Sequence, residues 1–224
     1  MADVITLVVE ASTYAGSTAL LDSSRLLSER SVAMRGKEHE ALMPAVAALL
    51  AECGLAPERI TRVVCGAGPG SFTSLRIAGS IAKGIALATG AMLVPVSSLA
   101  LLVASREPRT PGRYLATADA MRGESYVQQY EIDDHGELRA AGGLSVVPTF
   151  NVDQIAADIG GMVLGPARQG TEFVVPHARA VAHVTKLIAS TAPADLALWE
   201  PQYGRLAEAQ VKWEAENGRL LHAQ

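Results

Sequence analysis

The amino-acid sequence predicts an α/β protein built from two halves that share one element order, β-β-β-α-β-α. Three observations carry this. In the first half, apolar segments at residues 4–9, 17–22 and 25–32 read as strands, a helical period covers about 37–53, and a strand at 60–65 leads into a helix at 71–89. The second half opens the same way, with strands at 114–119, 125–132 and 137–148, then a helix near 152–158, a strand at 162–164 and a helix at 177–190. Between 60–65 and 71–89 stands Gly66-Ala67-Gly68-Pro69-Gly70-Ser71-Phe72-Thr73-Ser74-Leu75-Arg76-Ile77, a tight glycine turn joining a strand to a helix start. The halves divide at 1–105 and 106–224, each of ordinary domain size.

Taken in order, residues 4–9 carry an uninterrupted apolar run, the pattern of a strand covered on both faces. The helix at 37–53 has an apolar face of Leu42, Val46, Leu49, Leu50 and Cys53, with His39 at its start as a capping or packing residue. The helix at 71–89 is apolar almost all round. Large residues sit at Phe72, Ile77, Ile81 and Ile85, small ones at Ser80, Gly84 and Ala88 on a neighbouring stripe, and Arg76 and Lys83 are its only charges. Such a helix is covered on both faces, one by its own sheet and one by something else. From the residues alone the small stripe suits close packing inside the domain as well as docking of another helix. Residues 84–105 hold no charge over a length that would cross a bilayer, but Gly90, Pro95, Ser97 and Ser98 break the run into a helix end, a short strand and another helix start. That is a buried α/β layer.

Composition narrows the class. Net charge is −4 with no basic run, so the chain lacks the electrostatic footprint for gripping tRNA or DNA by itself. Cys53 and Cys65 have no framework or metal-type spacing and read as buried thiols in a reducing compartment. The start carries Asp3 in place of a basic region, so a cytoplasmic location is expected. Trp199, Tyr203 and Trp213 cluster near the end with Arg205 and Lys212, and 206–213 is a good helix former; it packs terminally, returns to the first half, or forms a docking surface.

The glycine turn has the backbone of an anion site, since close-approaching glycines precede a helix N-terminus that Ser71 or Thr73 can cap. Its side chains fit no phosphate motif. A Walker loop is excluded because no lysine occurs before Lys83. The dinucleotide fingerprint is excluded because no acid lies between Glu58 and Glu107, and the Gly-x-Ser-x-Gly elbow is missing at Ser71. Nor do the histidines, His39, His135, His177, His183 and His222, supply a helical metal pair. No catalytic residue and no metal ligand is assigned.

At this turn the chain resembles the TsaB (YeaZ) family, whose signature is close to Gly-x-Gly-Pro-Gly-Ser-Phe-Thr-Gly-hydrophobic-Arg-Ile-Gly; Ser74 and Ala78 replace two of its glycines. Further matches follow in order: Lys37-Glu38-His39 with Leu42 and Pro44, Asp119-Ala120-Met121-Arg122-Gly123-Glu124-Ser125-Tyr126, and Pro201, Tyr203, Arg205 and Ala209. Glu10-Ala11-Ser12 stands where the family usually has Asp-Thr-Ser. The resemblance implies the actin-like ATPase (ASKHA) fold, which a doubled β-β-β-α-β-α order also describes, with a nucleotide cleft between the halves. Active members place a carboxylate and a small-residue turn at the first hairpin of each half to hold metal-bound phosphates. The equivalents here are Glu10 with Ser12 and Asp119 with Gly123. Glu10 is long and lacks the adjoining glycine, and Arg122 crowds the second loop, so both acids read rather as strand-end residues that cap turns or pair with Arg122, and the cleft as degenerate.

The family's catalytic paralogue, TsaD, carries a His-x-x-x-His metal pair; counted without gaps from Gly68-Pro69-Gly70 through Pro95-Val96, it falls on Ser98 and Leu102. The resemblance therefore implies a non-catalytic subunit that supports TsaD in threonylcarbamoylation of adenosine 37 in tRNAs reading ANN codons, with the small ATPase TsaE docking on the heterodimer. It further implies a homodimer when the chain is alone, ATP only at a subunit junction with no cofactor on the isolated chain, indirect contact with tRNA, and no membrane association. The expected interface is His39, Leu42, Met43, Val46, Phe72, Arg76, Ile77, Ser80, Ile81, Gly84 and Ala88. A glycoprotease-like peptidase or small-molecule kinase using its own cleft is the competing expectation.

Overall fold

In the computed structural model, which describes residues 4–34, 41–166 and 168–203, two sheets stack with helices between and outside them. The first sheet contains β1 (Ile5–Glu10), β2 (Ala15–Asp22), β3 (Arg25–Ala33), β4 (Ile60–Gly66) and β5 (Met92–Val96), in the order β3-β2-β1-β4-β5. β1, β2 and β3 pair antiparallel, whereas β4 and β5 run parallel to β1. The second contains β6 (Gly112–Asp119), β7 (Glu124–Ile132), β8 (Leu138–Ala140), β9 (Ser145–Pro148), β10 (Met162–Gly165) and β11 (Glu172–Phe173), ordered β11-β10-β6-β7-β8 with β9 also on β7. Read from its antiparallel edge, the second sheet repeats the first. This is the doubled unit of the actin-like fold.

The helices are α1 (Leu42–Glu52), α2 (Phe72–Thr89), α3 (Ser98–Ala104), α4 (Val152–Ile159) and α5 (Thr185–Ser190). Side-chain parity along β1 explains the layers: Leu7 and Val9 face α1 and α2, and Val8 faces α3 and the second sheet. All six β1 residues are buried, as a strand covered on both faces requires. α3 is buried along its whole length between the sheets, against Tyr114, Ala116, Tyr130 and Leu164, and α4 covers the outer face through Val152 and Ala156. The uncharged stretch 84–105 is thus core. Among the described residues no helix is long and apolar enough to cross a membrane.

The structure differs from the sequence reading in three places. The strand expected over 137–148 is two short strands, β8 and β9, both on β7; Gly142 and Gly143 lie in the interruption, where glycine weakens a ladder. The helix expected over 177–190 is a 3₁₀ turn, Ala178–His183, followed by α5, with Val184 between them at φ −125°. β11 joins the sheet through two residues, too few to leave a pattern. Helix α1 is described from Leu42; His39 and the rest of 35–40 lie outside the described residues.

Residues 194–203 return to the first half. Ala194 N–H donates to the Leu93 carbonyl at 2.8 Å and Gln202 N–H to that of Ala67 at 2.6 Å. Pro201 and Trp199 lie over Gly79 of α2, and Tyr203 packs on Phe72 with ring centroids 4.6 Å apart. The expected 206–213 helix, Arg205 and Lys212 lie outside the described residues.

Candidate functional site

Two features stand out: a cleft between the halves and the outer face of α1 and α2. The cleft, about 1240 Å³, is closed by the β1–β2 turn, the glycine turn, the start of α3, the β6–β7 turn and residues 173–176. Its walls are largely apolar, among them Leu99, Leu102, Tyr126, Val174, Val175 and Tyr203. Ser12 and Asp119 line it. Glu10 and Gly123 do not.

Glu10 is a correction to the sequence reading, because its side chain turns inward from the strand end and is fully buried. Its Oε1 accepts the Ser12 N–H at 2.6 Å and its Oε2 the Ser98 hydroxyl at 2.9 Å. Ser98 Oγ in turn accepts the Gly68 N–H at 3.1 Å. A Cβ at Gly66 would overlap the Glu10 carboxylate, so the glycine there makes room for a buried acid. Burial holds the Glu10 carboxyl above the usual carboxylate range, while its hydrogen bonds from Ser12 and Ser98 pull the other way. Burial, with the nearby Glu10 charge, also pushes the Cys65 thiol up, the state of an inert core cysteine.

Three backbone donors of these loops are used internally. Ser12 N–H serves Glu10, and Ser71 N–H donates to the Ser12 carbonyl at 2.7 Å, with Gly70 so close that a Cβ would overlap the Ser12 backbone. In the second loop Met121 N–H donates to Asp119 Oδ1 at 2.7 Å, and Met121, Arg122 and Gly123 all have positive φ. Two side-chain-bearing residues in that region are strained, and the turn is held by Ala120 N–H to Glu124 and Thr149 N–H to Gly123. Gly123 supplies the third left-handed residue and stands in open space.

Ser98 and Leu102, one helical turn apart on α3, are both buried and both line the cleft. Among the described residues no group of three His, Cys, Asp or Glu could hold a metal. His177 instead ties the halves together: Nδ1 accepts the Arg179 N–H at 3.2 Å and Nε2 lies 3.0 Å from Ser31 Oγ, with its pKa lowered by burial. His222 lies outside the described residues.

On the outer face, α1 turns Leu42 and Val46 wholly into the core, so these two expected interface residues present no surface there and support the helix. Met43 is exposed, followed on the same side by Ala47 and Ala51. α2 lays its small residues Ala78, Gly79, Ala82 and Ala86 inward with Leu75, which lets it approach closely; Ile77, Ile81 and Phe72 are half-buried along its edge. Arg76, Ser80, Gly84 and Ala88 are exposed, and a Cβ built on Gly84 meets nothing within 4 Å. Leu87, 76% exposed, was missed in the sequence although it lies three residues past Gly84 on that face. The β-sheet side of this helix is therefore complete without the Ser80–Gly84–Ala88 stripe.

A family model described as TsaD, tRNA N6-adenosine threonylcarbamoyltransferase, matches residues 33–192. The chain belongs to this family. Within the TsaD family its similarity runs to TsaB proteins: it is 32% identical over 146 residues to the tRNA threonylcarbamoyladenosine biosynthesis protein TsaB of Bacillus subtilis (strain 168), covering 65% of this chain and 61% of that protein. The TsaB of Escherichia coli (strain K12) is 34% identical over 133 residues, 58% of this chain and 56% of that one. The chain thus spans little more than half the length of the curated relatives it matches. Two Pseudomonas aeruginosa structures match nearly end to end. One, described as an uncharacterized protein with similarity to peptidase YeaZ, superposes with a TM-score of 0.77 at 28% identity, over 90% of this chain and 100% of that one. The other, YeaZ, gives 0.72 at 26% identity over 88% and 98%.

Proposed function

We propose that this protein is a TsaB-type subunit of tRNA threonylcarbamoyladenosine biosynthesis, which supports a catalytic TsaD paralogue in modifying adenosine 37 of tRNAs reading ANN codons and performs no chemistry itself. The observation that carries the reading is the exposed small-residue face of α2, on a helix already packed on its sheet, while α1 on the same side of that sheet exposes Met43. Two helices of a partner fit there as a bundle, because small residues let backbones approach. The cleft supports the same reading. The Ser12, Ser71 and Met121 amides are committed to Glu10, Ser12 and Asp119, and Ser98 and Leu102 supply no imidazole where the paralogue's pair aligns.

In this reading the isolated chain binds neither metal nor nucleotide, ATP enters only at a subunit junction, TsaE docks on the heterodimer, tRNA is held by the partners, and the same face pairs two copies when TsaD is absent. The test is reconstitution with purified TsaD. The expected result is a stable complex on a sizing column and adenosine modification that depends on both proteins once TsaE and the acyl-donor synthesis are supplied. Full modification without this chain, or failure of the two to associate, overturns it.

A further inference from the structure

The exposed face of α2 carries two cations, Arg76 and, half-buried one turn before Leu87, Lys83. Arg76 lies one turn before Ser80 on that face, and its guanidinium carbon stands 4.7 Å over the Phe72 ring and 5.7 Å over that of Tyr203. The two rings themselves meet at 4.6 Å and 49°. Stacking uses the face of the guanidinium and leaves its N–H edge free. Among the described residues no carboxylate lies within ion-pair distance of it, whereas Arg30, Arg139, Arg168 and Arg179 each have one. α2 contains no acid. The arginine is thus held in one orientation by aromatic contact, with its planar donor edge directed at nothing within the described fold.

We propose that Arg76 is the specificity-determining anchor of the docking face, and that it takes an Asp or Glu carboxylate presented by a helix of the protein partner. This rests on the docking reading above. A carboxylate suits the planar edge because two parallel N–H···O bonds form at once. A helix, not a phosphate backbone, is the occupant because the rest of the exposed α2 face apart from Lys83 is small or apolar, with Ser80, Gly84, Leu87 and Ala88, and the whole chain is acidic. Pre-stacking lowers the ordering cost of a long side chain on binding. The pair also discriminates: a partner helix with an apolar residue opposite Arg76 leaves the cation desolvated and unpaired.

The test uses the full chain and purified TsaD, with affinity measured at low and high salt for wild type, Arg76→Gln, Arg76→Lys and Leu87→Asp, beside melting curves. Arg76→Gln is expected to weaken binding about tenfold to a hundredfold, to flatten the salt dependence, and to lower the melting temperature by no more than about 4 °C, the scale of the lost ring contact. Arg76→Lys falls between, since it keeps the charge and loses the fork. Wild-type affinity and salt dependence in Arg76→Gln, with Leu87→Asp unable to bind, overturns the anchor and leaves the docking reading standing. If Leu87→Asp also binds normally, the docking face is wrong and the anchor falls with it. Loss of tRNA binding in Arg76→Gln with TsaD affinity intact likewise overturns the proposal in favour of a phosphate partner.

Discussion

Ser98 and Glu10, 88 residues apart in sequence, meet through a 2.9 Å hydrogen bond from the serine hydroxyl to Oε2. The contact joins the end of β1 to the first residue of α3. Because Ser98 also accepts the Gly68 N–H and donates its own N–H to the Gly68 carbonyl at 2.9 Å, one serine fixes strand, glycine turn and helix together. In a cleft built for phosphate, an acid at this strand end would face the ligand; here it is a structural strut.

The strut predicts an unusual pH dependence. Glu10 has a folded pKa above its unfolded value because burial dominates, so its contribution to stability is fully present below the unfolded value near 4.5 and is lost as pH rises through the folded one. Glu10→Gln, which cannot ionise, is therefore expected to gain stability relative to wild type as pH rises above the ordinary glutamate range. Melting curves of both proteins in mildly acidic and mildly alkaline buffer check this. A gap that is constant, or widest in acid, contradicts it.

Gly70→Ala probes the contact between the two cleft loops. The added methyl would overlap the Ser12 carbonyl and Cβ, so two backbones must part and the Ser71 N–H to Ser12 bond must lengthen. Overpacking of this kind costs about 1–3 kcal/mol, and for a chain of this size each kcal/mol lowers Tm by roughly 2–4 °C. Gly84→Ala, in open space, is the control and should not lower Tm.

Most strands and helices were legible because their periods are strong: β1, β2, β3, β4, β6, β7 and α2 fall within a few residues of the sequence reading. The inward turn of Glu10 was not, since a strand buried on both faces shows no alternation that would assign an acid at its end to one side. The same limit applies to α2. A helix apolar all round does not reveal which stripe lies inward, and the small Ala78–Gly79–Ala82–Ala86 face won because it permits close approach to the sheet and leaves room at Gly79 for Pro201. The return of residues 194–203 has no period at all; it is held by two backbone hydrogen bonds and ring contacts to residues more than 100 positions away.

Nucleotide binding by the lone chain should be weak. The Ser12, Ser71 and Met121 amides are already paired, and a phosphate that uses them must break those bonds before it gains its own. Calorimetry with Mg-ATP is expected to show no saturable heat at micromolar protein. Sub-micromolar binding to the isolated chain would mean that the loops rearrange. Binding that appears only after TsaD is added fits a junction site.

Gly84→Leu separates docking from folding on one residue. Gly84 is exposed in mid-helix with nothing within 4 Å of a built Cβ, so leucine enters the monomer without a clash. Helix propensity favours it by up to ~1 kcal/mol, and the melting temperature should hold or rise. If the proposed docking face is the interface, the same side chain keeps two helices apart at a cost of about 1–3 kcal/mol, which lowers affinity for TsaD roughly tenfold to a hundredfold. The two effects have opposite signs, and that is the strength of the test, because a variant that simply misfolds cannot melt higher while binding less. Self-association on a sizing column should weaken in parallel if two copies use this face. A raised melting temperature with undiminished affinity for TsaD would move the interface off the Ser80–Gly84–Ala88 stripe and leave Met43 and its neighbours on α1 as the surface to test.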